Sequence, residues 1–399
     1  MADLISIDEA RGRVLEAARA RGPLPVEEVA LDRTLGRVLG ENVVSSLDVP
    51  PFDASAMDGY ALVAGPAAEL PVVGEARAGH PFGGRLERGS ALLISTGAPV
   101  PDGADTVVPV ERTETAGEGC VRVPDTDVGA NIRRAGEDVR PGQVVLRAGT
   151  EVGPAEAGVL ASLGFASVTC PRRPRVALLV TGDELVPPGA PLGPGQIHSS
   201  NAHALRGQVE RAGAEVALRE HVPDSAESTR AALAGALDEA DVACISGGVS
   251  VGPHDHVKDA LAELGAEERF WGVALKPGKP TWFGVRDRTL VFGLPGNPVS
   301  AMVTFQLFAR PALRTLLGAE PEPVRGSALL DTPVKLSPGR EQAIRVRLRA
   351  GDDGWRAEPT GPQQSHLLTS MLGASALARV PRGDGELAAG ERVEIELLS

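Results

Sequence analysis

The sequence predicts an α/β protein of several domains, in which a parallel-sheet domain is joined to a β-rich lobe and a C-terminal β domain. Three observations predict this fold class. Strands and helices alternate between residues 172 and 322, whereas short β runs divided by Gly and Pro fill residues 45–145 and return after residue 323. The alternation favours parallel strands connected by right-handed crossovers. A chain of 399 residues is long enough to build these cores separately.

The first predicted element is a helix over residues 6–20. Ser6 and Glu9 have the spacing of a capping box, and an apolar stripe follows at helical spacing. A Gly-Pro pair then ends the helix. A shorter helix is predicted over residues 155–165, before a proline-rich linker that leads into the parallel-sheet domain.

Within that domain the predicted elements follow one another closely. The predicted strands cover residues 175–180, 215–218, 242–245 and 289–292. The predicted helices cover residues 202–212, residues 226–240 and a stretch from Pro298 to about 317. Pro298 suits the first turn of a helix. The alternating runs after residue 323 predict a small β-barrel or sandwich.

The stretch DVACISGGVSVGPHD, residues 241–255, carries the main chemical signal. A buried strand is followed by Gly247, Gly248 and Gly252 and then by a helix. This pattern presents backbone N–H groups to an anion at the carboxyl edge of a sheet. Asp255 stands where a carboxylate beside a phosphate usually holds a cation or a donor group of the ligand. A plain structural turn is the alternative explanation.

Two other motifs overlap this stretch. Residues 248–252 match the G-x-S-x-G nucleophile elbow of serine hydrolases, but two glycines separate the strand from Ser250. His254 and His256 form an H-x-H pair, which without a third ligand at metal spacing is typical of a solvated turn. The residues therefore favour an anion-binding turn over a hydrolase site or a metal site.

Lysine is rare in this chain and is concentrated at one point. Only four lysines occur among 40 basic residues, and two of them, Lys276 and Lys279, flank a Pro-Gly pair. Such a turn can aim both ammonium groups at one anion. A second anion cradle is predicted at the segment GLPGNPVS, where a helix begins at Pro298 and carries Ser300 in its first turn.

The overall charge limits the class of partner. A formal net charge of −13 argues against nucleic acid and anionic membranes as general partners. The three cysteines are too far apart for a disulfide framework or a metal site. No signal peptide opens the chain and no apolar run approaches the length of a membrane span. We therefore expect a cytoplasmic protein without membrane insertion.

Seven motifs in a fixed order point to one family. They are FDASAMDGYA, STGAPVPDGAD, ANIRRAGEDV, TGDEL, SGGVSVG, KPGKP and GLPGNPVS. In this order and at these intervals they resemble the MoeA family of molybdopterin molybdenumtransferases, which includes the E domain of gephyrin. The resemblance extends over essentially the whole chain.

The resemblance implies an elongated homodimer with its active cleft at the subunit interface. It implies a molybdopterin-binding α/β/α domain at residues 172–322, similar to the molybdopterin adenylyltransferases, and a β-rich lobe at residues 45–145. An N-terminal connecting domain is expected at residues 1–44 and 146–171, and a barrel-like C-terminal β domain at residues 323–399.

The resemblance also implies a reaction in molybdenum cofactor biosynthesis. Members take adenylylated molybdopterin and molybdate, hydrolyse the adenylate link with Mg²⁺, insert molybdenum into the dithiolene and release AMP. Expected partners are molybdopterin adenylyltransferase upstream and cofactor-transfer proteins downstream. The alternative within the family is a gephyrin-like dimeric scaffold that binds peptides of partner proteins with weak or no catalysis.

Motif positions carry the functional residues of the family onto this chain. The acids expected to act in catalysis are Glu184, Asp224 and Asp255, with Asp255 and Glu184 as ligands of Mg²⁺. The β-rich lobe is expected to add the catalytic residues Asp58, Thr96 and Asp138. Contacts to the substrate are assigned to Gly247, Gly248, Ser250, Gly252, Pro295 and Pro298. Contacts to molybdate are assigned to Lys276, Lys279, Ser300, Arg345 and Ser365.

The chain departs from the usual family pattern near two of these motifs. The family usually has Asp at the position of Ser199, often Glu-Ala at Pro253-His254, and often Tyr at His256. The predicted acids and lysines are nevertheless all present. They favour an enzyme, because a scaffold has no physical need of such a set.

Overall fold

The computed structural model describes residues 4–250 and 255–398. The chain forms two compact units. The first is drawn from Met1–Glu28, Gly36–Gly40 and Thr169–Ser399, and the second from Val29–Leu35 and Glu41–Val168. The strands Val26–Ala30 and Ser167–Pro171 carry the chain across the boundaries between these ranges. The four domains predicted from the sequence stay a prediction, because the two units are a coarser division.

A six-stranded mixed sheet forms the centre of the first unit. Its strands, in spatial order, are Glu215–Val222, Arg175–Thr181, Val242–Ser246, Thr289–Leu294, Trp282–Arg286 and Glu267–Trp271. The first four run parallel, which confirms the four predicted strands, each extended at its carboxyl end. The last two are antiparallel to their neighbours, so the predicted parallel sheet carries two further antiparallel strands that the sequence did not indicate. Only Asp287 and Arg288 connect two of these strands, and so short a connection requires antiparallel neighbours.

Helices cover both faces of this sheet. On the strand Arg175–Thr181, Val176 and Leu178 belong to one hydrophobic cluster, while Ala177 and Leu179 belong to another. The first cluster includes residues from the helices Ile7–Arg21, Asn201–Arg211, Pro298–Thr304 and Arg310–Leu316. The second includes residues from the helices Ala226–Glu239 and Val257–Glu263. Burial on both faces explains why the central strands are continuously apolar, and it gives the α/β/α layers.

The predicted helices of this unit are confirmed, with ends shifted by one or two residues. The helix Ile7–Arg21 begins at the predicted cap, because Ser6 Oγ accepts a hydrogen bond from the Glu9 N–H at 3.1 Å. The helix predicted from Pro298 to about 317 is continuous, since a π-helical turn, Phe305–Ala309, joins its two α-helical parts.

A buried carboxylate anchors the end of the first helix to the sheet. Asp241, which directly precedes the central strand, forms an ion pair with Arg21. It also accepts two hydrogen bonds from Arg172, at 2.6 and 2.9 Å, and one from the Arg175 N–H at 2.8 Å. Burial alone would raise the pKa of Asp241, but these donors hold it below its usual range.

A closed barrel forms the C-terminal part of the first unit. Its five strands, in order around the barrel, are Glu341–Gly351, Gly354–Pro359, Arg325–Leu330, Arg392–Leu397 and Ala376–Val380. The last strand pairs back onto the first, so no barrel edge is left open. The predicted barrel or sandwich is therefore a barrel. The short strand Leu275–Lys276 pairs with Glu341–Gly351 and attaches the barrel to the chain segment beside the sheet.

A second six-stranded sheet dominates the second unit. Its strands, in spatial order, are Thr106–Pro109, Gly59–Leu62, Ala91–Ile94, Ala68–Ala76, Cys120–Val123 and Glu114–Thr115. Leu92 and Ile94 belong to one hydrophobic cluster of this unit, and Val108 and Val121 to another. The β-rich character predicted for this part of the chain is confirmed.

The remaining elements are short. Short strands pair as Val43–Val44 with Val144–Leu146, Ala54–Ser55 with Ile132–Arg133, Leu185–Val186 with Ile197–His198, and Val334–Lys335 with Glu386–Leu387. Three single helical turns are Leu31–Arg33, Val110–Arg112 and Leu368–Met371. The helix Pro154–Ser162 begins one residue before the short helix predicted at residues 155–165 and ends three residues earlier. Across residues 4–250 and 255–398, no helix is long and apolar enough to cross a membrane.

Buried charges tie the first helix to the barrel. Arg11 donates to both carboxylate oxygens of Glu396, at 2.9 and 2.7 Å, across 385 residues of sequence. Arg379 donates to the same carboxylate at 3.1 Å, and all three side chains are almost fully buried. Burial alone would raise the pKa of Glu396, but the two guanidinium groups overcome this effect and hold the pKa below its usual range.

We expect Glu396→Gln to lower the free energy of unfolding by about 3 kcal/mol, because two buried guanidinium groups lose the one buried carboxylate that they share. The lowered folded-state pKa means that this stabilisation is complete above the unfolded pKa near 4.5 and is lost as the pH falls through the folded pKa. Urea unfolding at a series of decreasing pH values measures both effects. The glutamine variant should lose less stability on acidification than the wild type.

The matched control is Glu394→Gln, which removes a carboxylate that is 47% exposed from the same strand. Its stability should change by less than about 1 kcal/mol, because exposed ion pairs contribute little. Equal losses in the two variants would contradict the special role of the buried carboxylate.

Candidate functional site

Three adjoining clefts open along the carboxyl edge of the six-stranded mixed sheet. Pro280 and Pro295 line all three, and their volumes are about 270, 580 and 410 Å³. Loops that follow parallel strands converge at this edge, which is where α/β sheets bind ligands. We name the clefts by their polar residues as each is described.

The carboxylate cleft, of about 270 Å³, is lined by Glu184, Asp224 and Asp255. Asp224 Oδ2 accepts the Asp183 N–H at 3.3 Å, and the Asp224 N–H donates to the Asp183 carboxylate at 3.1 Å. Glu184 lies against Gly182, where an added Cβ would stand 2.4 Å from Glu184 Oε2. The structure thus brings the three predicted acids to one cleft, while their catalytic roles stay predictions.

The glycine-rich turn, residues 247–250, forms one wall of this cleft. Gly247 and Gly248 have φ angles of +99° and +64°, values that favour glycine. A Cβ on Gly247 would also stand 2.5 Å from Thr181 Oγ1, so the turn approaches the neighbouring strand too closely for any side chain. Ser250 lines both this cleft and the next one. The predicted substrate contacts in the described part of the turn therefore face one space.

The asparagine cleft, of about 580 Å³, lies where the helix Asn201–Arg211 begins. Asn201 Nδ2 donates to Ser246 Oγ at 2.8 Å and to the Gly296 carbonyl at 2.7 Å. Asn201 Oδ1 and Ser199 Oγ are buried and have no hydrogen-bond partner among the described residues. Both residues line this cleft. Pro298, a predicted substrate contact, lines the same cleft.

The lysine cleft, of about 410 Å³, is lined by Lys276, Lys279 and Arg340. No Asp or Glu is found among the described residues that line it, and none of the three cations has an ion-pair partner in the part of the chain that the structure describes. Thr281 Oγ1 donates to the Gly278 carbonyl at 2.7 Å and closes the turn that carries the lysines. The two lysines that were predicted to converge therefore line the same cleft.

Arg340 was not among the predicted site residues. It directly precedes the strand Glu341–Gly351, and Glu341 pairs with Leu275, so the register places Arg340 beside the lysine turn. The adjacent Glu341 carboxylate is engaged by Arg379 and does not neutralise Arg340. Its only sequence signal is a turn before a barrel strand, far from the lysine motif. That signal becomes informative only when the pairing of the two segments is known.

The two predicted serines line the lysine cleft and come from different elements of the fold. Ser300 lies in the first turn of the helix Pro298–Thr304 and is almost completely buried, and Ser365 lies on a loop of the barrel. Asn297 Nδ2 donates to Ser365 Oγ at 2.9 Å, and the Val299 N–H donates to the Ser365 carbonyl at 3.1 Å. The barrel loop and the start of the helix are therefore bonded to each other at the cleft.

Arg345 is absent from the lining of the lysine cleft. Its side chain is fully buried, and the guanidinium donates to Ser370 Oγ at 2.8 Å and to the backbone carbonyls of residues 362–364 at 3.3 to 3.5 Å. Burial lowers the pKa of Arg345 to about 10, so it stays charged at neutral pH. In this structure the Arg345 guanidinium hydrogen-bonds to the loop that carries Ser365 and His366 and thereby stabilises it. The family resemblance implied a direct contact between Arg345 and molybdate instead.

The second unit brings its own motif loops together. The strand Ala54–Ser55 pairs with Ile132–Arg133, and Asp58 Oδ1 accepts the Thr96 N–H at 2.7 Å. Asp138 follows in the second of these loops, and the side chains of Asp58, Thr96 and Asp138 are all exposed. Two of the three residues predicted to act from this lobe thus touch each other. The catalytic roles of all three stay predictions.

The hydrolase alternative lacks the geometry of a nucleophile elbow. The strand Val242–Ser246 ends four residues before Ser250, and no histidine among the described residues hydrogen-bonds to Ser250. Cys244 offers no nucleophile either, because burial raises the pKa of its thiol to about 12. His256 precedes the helix Val257–Glu263. The remaining predicted or discussed positions of this segment lie outside the described residues: Gly252, Pro253 and His254.

A carboxylate cleft and a cleft lined by unpaired cations, side by side on an α/β/α sheet, define a class of enzyme that handles anionic substrates. Comparison with known families makes the assignment specific, and the chain belongs to the MoeA family of molybdopterin molybdenumtransferases. Three family descriptions match consecutive regions. They are "MoeA N-terminal region (domain I and II)" at residues 5–164, "Probable molybdopterin binding domain" at 177–315, and "MoeA C-terminal region (domain IV)" at 319–398.

Relatives match over nearly the full length. The chain is 36% identical to the molybdopterin molybdenumtransferase of Haemophilus influenzae, with 98% of each chain covered. It is 38% identical to molybdopterin molybdenumtransferase 2 of Mycobacterium tuberculosis, also with 98% of each covered. Among solved structures, the molybdopterin biosynthesis MoeA protein of Pyrococcus horikoshii superposes with a TM-score of 0.84 at 30% identity, covering 99% of this chain and 100% of that one.

We expect Arg345→Lys to lower the free energy of unfolding by about 1 to 3 kcal/mol, because one ammonium group cannot reach the several acceptors that the guanidinium satisfies. The loop with Ser365 also loses its support, so the backbone amides of this loop should exchange hydrogen faster. Urea unfolding and amide hydrogen exchange measure the two effects. Arg347→Lys is the matched control, because Arg347 is exposed on the same strand and should change neither quantity. Full retention of stability in Arg345→Lys would contradict the supporting role.

Proposed function

We propose that this chain inserts molybdenum into adenylylated molybdopterin, hydrolysing the adenylate link and releasing AMP. The single observation that carries the proposal is the adjacency of the lysine cleft and the carboxylate cleft, which share Pro280 and Pro295. One space suits an oxyanion and the other suits a phosphate with a metal ion. Family membership and the names of the relatives agree with this pairing.

The lysine cleft is the proposed molybdate site. Three cations line this cleft, and no acidic residue does so in the part of the chain that the structure describes, although the formal net charge of the chain is −13. Two unit charges about 4 Å apart interact by about 4 kcal/mol at an effective dielectric constant of 20, so three unpaired cations attract a dianion strongly. Ser300 and Ser365 add hydroxyl groups that donate to oxyanion oxygens.

The carboxylate cleft is the proposed site of hydrolysis. Mg²⁺ is usually held by one or two carboxylates together with phosphates of the substrate, and Glu184 and Asp255 supply two carboxylates at one cleft. When bound, Mg²⁺ would neutralise phosphate charge and polarise the phosphoryl group. Asp224 is held in place by Asp183, and its carboxylate is the proposed acceptor of a proton from the attacking water.

The substrate is proposed to bridge these two sites. The glycine-rich turn lies beside the carboxylates and would receive a phosphate, while the asparagine cleft next to it would receive the neutral polar ring system. Water adds to phosphorus, the phosphorus–oxygen bond to the adenylate breaks, and AMP leaves with that oxygen. Molybdate held in the lysine cleft is then in position to react with the exposed dithiolene.

We also propose that the active form is a homodimer and that Asp58, Thr96 and Asp138 act from the β-rich lobe, as the family resemblance implies. Light scattering after gel filtration tests the oligomeric state. The scaffold alternative is not favoured, because peptide binding has no need of an acid-lined cleft beside a cation-lined one.

The decisive experiment measures AMP release from adenylylated molybdopterin by the purified protein with Mg²⁺, with and without molybdate. We expect molybdate-dependent release in the wild type and none in Asp255→Asn, because the variant removes one negative charge from the carboxylate cleft. Asp259→Asn is the control, since Asp259 lies in the helix that follows Asp255 and does not line the cleft. Normal turnover in Asp255→Asn would contradict the assigned role, and a folded wild type without release would contradict the proposed function.

We expect Lys279→Ala and Arg340→Gln each to raise the half-saturating molybdate concentration by about tenfold, because each removes a charge-assisted contact. The measurement is AMP release or direct binding as a function of molybdate concentration at fixed ionic strength. Arg349→Gln is the control, because it removes the same charge from the same barrel at a side chain that pairs with Glu358 at 2.6 Å. An unchanged molybdate dependence in either cleft variant would contradict the site.

A further inference from the structure

Among the described residues, four attachments hold the glycine-rich turn, and one of them is a hydrogen bond from a side chain. The Gly247 N–H donates to the Leu294 carbonyl at 3.0 Å, and the Val257 N–H donates to the Gly248 carbonyl at 3.3 Å. The Val249 side chain is 2% exposed and packs in the hydrophobic cluster with Trp282. The Val249 carbonyl accepts a hydrogen bond from a tryptophan indole, at 3.1 Å.

This indole belongs to Trp271, the last residue of the strand Glu267–Trp271 at the edge of the sheet. The ammonium group of Lys258 lies 4.2 Å from the centre of the Trp271 ring. Lys258 is the second residue of the helix Val257–Glu263 that follows the turn. Both partners of this cation–π pair follow the turn in sequence, and one of them, Trp271, hydrogen-bonds to it.

The Val249 side chain shows why this attachment matters. A Cβ on Gly293 would stand 2.7 Å from Val249 Cγ1, so the neighbouring strand leaves just enough room for valine. Val249 is thus fixed by its side chain on one side and by its carbonyl on the other. The Gly247 N–H is already fixed by the Leu294 carbonyl. Because glycine has more backbone freedom than any other residue type, the orientation of the Gly248 N–H depends on this fixed neighbour.

We propose that Trp271 is a positioning residue for the glycine-rich turn and that Lys258 strengthens it. A cation over the face of an indole is attracted by the ring and withdraws electron density from it, which makes the indole N–H a better donor to the Val249 carbonyl. The pair sets the direction of the turn's N–H groups without contacting the ligand. This role deepens the proposed function, because it matters for catalysis only if the turn binds the substrate phosphate.

The first test needs no ligand. The chain has three tryptophans, so the indole N–H of Trp271 is assigned by comparing the wild-type NMR spectrum with that of Trp271→Phe. We expect Lys258→Met to shift this resonance toward weaker hydrogen bonding and to speed amide hydrogen exchange at residues 247–250. Lys258→Arg should restore both, because it keeps a cation over the ring. Lys335→Met removes an exposed lysine from the barrel and should change neither quantity.

The second test uses turnover of adenylylated molybdopterin. Trp271→Phe keeps an aromatic ring for the cation–π contact with Lys258 but loses the indole N–H. We expect the KM of this variant for adenylylated molybdopterin to rise about fivefold, with little change in kcat or in the melting temperature. A purely structural role would lower the melting temperature and leave KM unchanged. That outcome, or an unshifted indole resonance and unchanged exchange in Lys258→Met, would overturn the proposal. If the wild type does not release AMP, the exchange and resonance measurements still decide the positioning role independently of the proposed function.

Discussion

Asn201 holds together the segments that build the carboxyl edge of the sheet. One amide group donates both to the end of the central strand, at Ser246, and to the loop before the helix that begins at Pro298, at Gly296. Asn297 continues this chain of bonds to Ser365 on the barrel loop. The three clefts exist because these loops are fixed relative to one another. The side-chain amides of Asn201 and Asn297 donate these hydrogen bonds, and an Asp at either position would lack the N–H donor.

The two basic residue types are used differently. Arginine forms the buried ion pairs that join distant parts of the first unit, as in Arg21 with Asp241 and Arg11 with Glu396. The planar guanidinium suits such sites because it satisfies both oxygens of a buried carboxylate. Lys276 and Lys279 are exposed and unpaired among the described residues. An acidic chain thereby keeps a few cations free of internal partners, and a ligand can use their full charge.

Much of this arrangement was predictable from local sequence. The strand, glycine pair and helix around Gly247, and the lysine turn around Gly278, are each encoded within a dozen residues and were predicted in place. The mixed character of the sheet was missed because Trp282–Arg286 and Thr289–Leu294 join through two residues that carry no Asn-Gly or Asp-Gly signal. Local sequence indicated that a β run contains Arg345 but not that its side chain is enclosed.

Other features depend on contacts between residues far apart in sequence. Arg340 joins the lysines only because Glu341 pairs with Leu275, and no local pattern reports that register. The docking of the first helix on the barrel depends in the same way on a pair separated by 385 residues. The order of seven motifs compensated for part of this gap, because it identified the family over the whole length of the chain.

The pairing of Leu275–Lys276 with the first barrel strand also limits how the chain can be divided. The sheet domain supplies the lysine turn and Ser300, but Arg340 and Ser365 come from beyond its last helix. A sheet domain of this kind standing alone would keep the glycine-rich turn and the carboxylates, and it would retain only half of the cation-lined cleft. The cation-lined cleft is therefore a property of two modules joined in one polypeptide, and gene fission between them would separate its two halves.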